Sequence, residues 1–158
     1  MIRKLLIICV FVGSFSALAQ TNDATSERRW LILLTQEEEH PQLQEQMGAI
    51  EANREAAKER KIAVMQMTIR GPKPLFNSPV KTLRIAETFN NTRSKDTDFE
   101  AILVGLDGTV KLRRKRAIEI EELFDLIDSM PMRQEEVQRQ IRAERVEKER
   151  EEERRKNR

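Results

Sequence analysis

The chain is poor in the side chains that most enzymes use. In 158 residues it has one cysteine, Cys9, one histidine, His40, no tyrosine, and aromatics at only 4%. A single cysteine permits no intramolecular disulfide. A single histidine supplies neither a histidine-rich metal site nor a triad backed by a second imidazole. No glycine-rich phosphate loop, metal-ligand spacing or strained nucleophile turn occurs among the five glycines. Apolar runs are short, and the longest, over residues 5–15, falls below the roughly 20 residues that cross a bilayer. Charge of one sign is also missing, with 29 Lys and Arg against 27 Asp and Glu.

Charge itself is plentiful, at 35% of residues, and the mean hydropathy is −0.63. Arg3 and Lys4 precede the 5–15 apolar run, and Ala17-Leu18-Ala19 follows it. A basic start, a short apolar stretch and a small-x-small triplet form the secretory pattern. The expectation is a signal peptide over 1–19, cleaved after Ala19, and a chain exported to the periplasm or beyond with no stable membrane insertion afterwards. Cleavage would remove Cys9 and with it every thiol, excluding thiol oxidoreductase or peroxidase activity. It would also remove Arg3 and Lys4, leaving basic and acidic residues in balance. No overall attraction to nucleic acid follows from a neutral chain.

Residues 20–28 are polar and read as a flexible lead-in. Trp30-Leu31-Ile32-Leu33-Leu34 is apolar throughout and reads as a strand buried on both faces. Pro41 suits the first position of a helix, and Leu43, Met47, Ile50 and Ala57 give that helix one apolar stripe to about Arg60. A second strand is expected over 62–69, then a loop at Gly71-Pro72-Lys73-Pro74. Ser78-Pro79 reads as a helix start, with Thr82, Ile85, Ala86 and Phe89 along one face, and 90–98 as a polar connection. A third strand over 99–104 turns at Asp107-Gly108 into a fourth strand carrying Val110 and Leu112. Ile120, Leu123, Phe124, Ile127 and Met130 stripe a last helix, with Phe124 expected to face the sheet and Pro131 to end the helix.

This order predicts an α/β fold: a mixed four-stranded sheet with helices on both faces, thioredoxin-like, over 29–132. Residues 133–158 differ, with ten Lys or Arg and eight Glu among few apolar side chains. Glu135–Arg139, Glu144–Lys148, Glu151–Arg155 and Glu152–Lys156 stand four apart in the favourable order. They predict a long, charged, solvated helical tail that forms independently of the domain.

The hairpin Val104-Gly105-Leu106-Asp107-Gly108-Thr109-Val110-Lys111-Leu112-Arg113 and the later Met130-Pro131-Met132-Arg133, with the Trp30 strand, resemble an exported bacterial family, domain-of-unknown-function family 4174. The resemblance covers about residues 28–138. It implies a thioredoxin-like fold, export, and kinship with the C-terminal domain of animal sushi-repeat extracellular-matrix proteins. The positions that carry it are Trp30, Gly105, Asp107, Gly108, Lys111, Arg113, Met130, Pro131, Met132 and Arg133. The family implies no reaction, so no catalytic residue comes with it.

In a thioredoxin-like fold the active edge follows the first strand. Here that junction is Thr35-Gln36-Glu37-Glu38-Glu39-His40, three glutamates where a thiolate would need a positive setting. The proline usual before the third strand is replaced by Asp98. His40 reads as a solvated residue flanking the helix start. Met130 and Met132 read as packing against the sheet end, with Arg133 pairing with a carboxylate such as Asp128. Lys111, Arg113, Arg114, Lys115 and Arg116 form a basic cluster suited to an anion; with no aromatics beside it and export expected, an anionic polysaccharide or outer-leaflet phosphate fits better than nucleic acid. The expected function is a non-catalytic binding module for another protein or an anionic polysaccharide, with no cofactor and no metal site. The alternatives are a cysteine-free enzyme and a structural protein acting through its charged tail.

Overall fold

The computed structural model describes residues 27–78 and 97–157. The expected signal peptide, most of the lead-in, and the helix expected from Pro79 through Phe89 lie outside the described residues.

At the centre stands β1 (Arg29–Thr35), whose seven residues are all buried. A strand that meets no water on either face needs apolar side chains at successive positions, which is why its sequence runs Trp-Leu-Ile-Leu-Leu without alternation. Next come helices α1 (Pro41–Ala52) and α2 (Arg54–Glu59), then β2 (Ile62–Thr68), parallel to β1. On the other side of β1 lies β4 (Phe99–Val104), antiparallel to it, and β4 turns into β5 (Val110–Arg114). Helices α3 (Ile120–Asp128) and α4 (Pro131–Lys156) complete the chain.

Among the described residues the sheet has five strands, not four, in the order β3-β2-β1-β4-β5. The extra strand is β3 (Gly71–Phe76), where composition predicted a loop. It pairs antiparallel with β2 at the sheet edge. Prolines 72 and 74 stand two apart, so both turn their missing N–H to the same side. On an edge strand that side can face away from the ladder at no cost in pairing. Ile69, expected in the second strand, is instead 83% exposed in the turn between β2 and β3.

Alternation along the central strands sorts the core into two layers. Leu31, Leu33, Ile62, Val64, Ala101 and Leu103 face α1, α2 and α3, which contribute Leu43, Ile50, Ala57, Leu123 and Ile127. Trp30, Ile32, Leu34, Met65, Met67 and Ile102 are buried on the opposite face. The helix expected to run unbroken to Arg60 is split at Asn53, whose Nδ2 donates to the Ala49 carbonyl at 3.0 Å. That side-chain bond competes with the helical ladder.

Two sequence expectations at the C-terminal end are corrected. Leu123 and Ile127 face the sheet fully buried, whereas Phe124 is half-buried on the flank. Its ring lies under Arg60, with the guanidinium carbon 4.4 Å from the centroid. Pro131 does not simply end a helix; it opens α4 at the first turn, where its missing N–H costs nothing.

Candidate functional site

The edge where a thioredoxin-like fold would keep its reactive group follows β1. Here Thr35 Oγ1 and the carbonyls of Glu37 and Glu38 converge on the Nε2 of Gln66 at 2.9, 3.3 and 3.0 Å. Gln66 is fully buried in β2, so a polar side chain in the core fastens the loop. The carboxylates of Glu37, Glu38 and Glu39 turn outward, and Glu38 pairs with Arg70 at 2.8 Å. Asp98, just before β4, accepts from Gln36 Nε2 at 2.8 Å. His40 is half-buried and structural: its Nδ1 accepts from the Gln42 N–H at 3.2 Å and caps α1, and its ring stacks on Phe99 at 5.4 Å. It is thus a capping residue and less solvated than the sequence suggested. Among the described residues, no three of the His, Cys, Asp and Glu side chains gather as a metal would require.

The hairpin residues singled out in the sequence are brought together, and they bind one another. Asp107 Oδ1 accepts from the Thr109 N–H at 3.1 Å, and its Oδ2 accepts from Lys111 Nζ at 2.6 Å. Gly108 holds φ +74°, a conformation that favours glycine. A Cβ on Gly105 would lie 2.6 Å from Lys111 Cε, so the glycine lets the lysine stem cross the turn without shifting. The lysine hydrogen bond and the Thr109 amide hold the Asp107 carboxyl at about 2, well below its ordinary value of 3.8. A group depressed in this way contributes stability above the unfolded value and loses it as pH falls through the folded one. The Thr109 amide should therefore shift with a midpoint near pH 2 in a nuclear magnetic resonance titration, with the turn loosening below it. A midpoint near 4 would mean that the lysine contact does not persist in solution.

The basic cluster is largely occupied. Besides Lys111 on Asp107, Arg113 reaches both oxygens of the buried Glu100 at 3.1 and 3.2 Å. Arg114 and Arg116 share Glu122 at 2.6 and 3.4 Å. Lys115 has no ion pair among the described residues. Four of the five cations therefore share three carboxylates, and among the described residues the cluster keeps a modest excess of positive charge.

The most elaborate charged assembly lies where sequence reasoning expected a free tail. The first turn of α4 is packed into the domain, with Arg133 and Glu136 buried. Glu136 takes Arg29 Nη1 at 3.2 Å, Lys61 Nζ at 3.2 Å and Arg133 Nη1 at 3.7 Å. Arg133 also pairs with Asp128, as expected, and with Glu59. Burial alone would lower its pKa, but the hydrogen bonds to Glu59 and Asp128 outweigh that and hold it above its usual range. Arg29 is fully buried at the start of β1; its Nη1 also donates to the Arg60 carbonyl at 2.9 Å. Its Nε and Nη2 have no protein partner among the described residues. Arg29 and Glu136 are the residues the sequence reading missed. The available signal was a charged residue adjoining a strand buried on both faces, which must be paired.

Beyond this root, α4 is bare. Every residue over 138–157 is exposed, including Ile141 at 39% and Val146 at 45%. Of the four pairs expected along the tail, only Glu135–Arg139 forms, at 3.7 Å. The others do not close, because an exposed pair gains little against the freedom of two long side chains. Of the Met-Pro-Met-Arg block, Met130 packs against the core and Arg133 is buried, but Met132 is exposed rather than packed.

These features define a mixed α/β domain whose most distinctive residues hold its turn, its core and the root of a projecting helix. The family model "Domain of unknown function (DUF4174)" matches residues 21–136, and the chain belongs to that family. No curated protein and no solved structure matches it.

Proposed function

We propose that the protein is an exported, non-catalytic binding module with a thioredoxin-like core, and that α4 is the arm through which it makes contact. The observation that carries this reading is the contrast along α4: a buried ionic root followed by twenty exposed residues, 138–157. An isolated helix of that composition is marginal in water, so a rooted one is suited to holding a partner at a fixed angle. The core reading draws on the parallel β1–α–β2 unit followed by the antiparallel β4–β5 hairpin and a helix, with β3 as an addition at the edge. Kinship with the animal sushi-repeat matrix domain would fit a role outside the cytoplasm. Export rests on the 1–19 leader pattern, and its removal would leave no thiol for redox chemistry. The partner is a protein; the residual positive charge at 111–116 leaves an anionic polysaccharide as the second choice.

The test is fractionation followed by capture. A species beginning at Gln20 should appear outside the cytoplasm, and the full chain should retain an envelope partner that a chain ending at Val137 does not. An uncleaved cytosolic chain, or equal capture by both forms, would overturn the reading.

A further inference from the structure

The sheet ends in two unlike edges. At one, β3 carries Pro72 and Pro74, which have no N–H to offer a further strand. At the other, β5 contains no proline, and among the described residues β4 is its single neighbour. Alternate N–H and C=O groups of β5 therefore point away from β4, a template for pairing. A bulge beside Lys111 is confined to the turn end; Leu112, Arg113 and Arg114 keep unbroken register with Leu103, Ile102 and Ala101. No side chain of the strand is fully buried, and Val110 is 45% exposed.

Natural sheet edges are guarded against stray pairing. Prolines guard β3, whereas β5 is guarded by charge. Residues 110–116 hold five cations and no acid. The carboxylates that four of them share come from the turn, from β4 and from α3. The next acids, Glu119 and Glu121, lie past the strand at the start of α3. A guard made of charge discriminates. A second copy's β5 would bring the same five cations to the edge, and like charges opposite one another destabilise a strand pair. An acidic strand is favoured by those same side chains, because cross-strand neighbours stand about 5 Å apart.

We infer that the β5 edge is a second contact surface, separate from α4, and that it takes an extended acidic segment of another protein as an added strand. Backbone hydrogen bonds to β5 hold the segment, and the cations of 111–116 select its charge. The contact is small and its ion pairs are exposed, so it is weak and sensitive to salt.

Nuclear magnetic resonance of the full chain tests it, with a short peptide alternating glutamate and threonine as the probe. At low salt the peptide should shift the amides of 110–116 and slow hydrogen exchange in β5. Replacing two neighbouring central residues of the peptide by proline removes a donor from each of its sides and should weaken binding about tenfold. A peptide with lysine for glutamate should not bind. Lys115→Glu should weaken the acidic peptide several-fold while leaving the urea midpoint unchanged, because Lys115 is exposed and holds no ion pair among the described residues. Absence of binding overturns the inference, and so do shifts confined to α4. Equal binding of the proline-bearing peptide overturns it too, since charge would then act without a ladder. Polygalacturonate, which has carboxylates but no backbone amides, should bind more weakly than the peptide; tighter binding at 110–116 would assign the edge to an anionic polysaccharide instead.

Discussion

Replacing Glu136 with alanine should lower the free energy of unfolding by about 3–5 kcal/mol, the usual cost of removing one member of a buried ion pair. Glu136 is the carboxylate on which Arg29, Lys61 and Arg133 meet. Arg133 keeps Asp128 and Glu59, but Arg29, buried in the central strand, keeps only the Arg60 carbonyl. A buried guanidinium without a counter-ion has no route to neutrality, because arginine does not lose its proton in this range. Truncation gives the same result in another form. A chain ending at Val137 should keep its urea midpoint, while one ending at Arg133 should lose stability, because only the second lacks Glu136. Equal midpoints for the two would show that the root does not support the domain and that α4 is the independent helix its composition suggests.

Leu123→Ala should cost about 3 kcal/mol, within the range for a fully buried leucine that leaves a cavity. Phe124→Ala should cost less, despite its larger side chain. Phe124 is half-buried and its ring rests under the Arg60 guanidinium, so water can fill much of the space it vacates. Denaturant unfolding of the two variants checks the order. A larger loss at Phe124 would mean that α3 is rotated by about one residue, 100° on a helix of 3.6 residues per turn, from the orientation described.

Strands buried on both faces were the easiest elements to read, because Trp30–Leu34 leaves no polar position to argue over. The β4–β5 hairpin was equally plain, since Asp107-Gly108 has a fixed conformational meaning. What sequence could not show was anything set by contacts between distant residues. Pro72 and Pro74 forbid a central strand but not an edge one, and only the pairing with Met67 and Met65 decides between edge strand and loop. The α3 stripe fixed a face to within one position, which was too coarse to separate Leu123 from Phe124. At the candidate sites the difference was larger. Arg29, Lys61, Asp128 and Glu136 are scattered over more than a hundred positions, and no local pattern distinguishes Glu136 from the seven other glutamates of the tail. The basic cluster was visible in sequence, but its partial neutralisation by Asp107, Glu100 and Glu122 was not.

The root of α4 has a mechanical consequence. The chain enters β1 at Arg29 and leaves through Arg133 and Glu136, so its path in and its path out are joined at one pole of the domain. A load applied to the arm passes into the ionic root and from there into the middle strand, rather than peeling the last helix from the surface. Anything that grips the arm also decides which way the domain points.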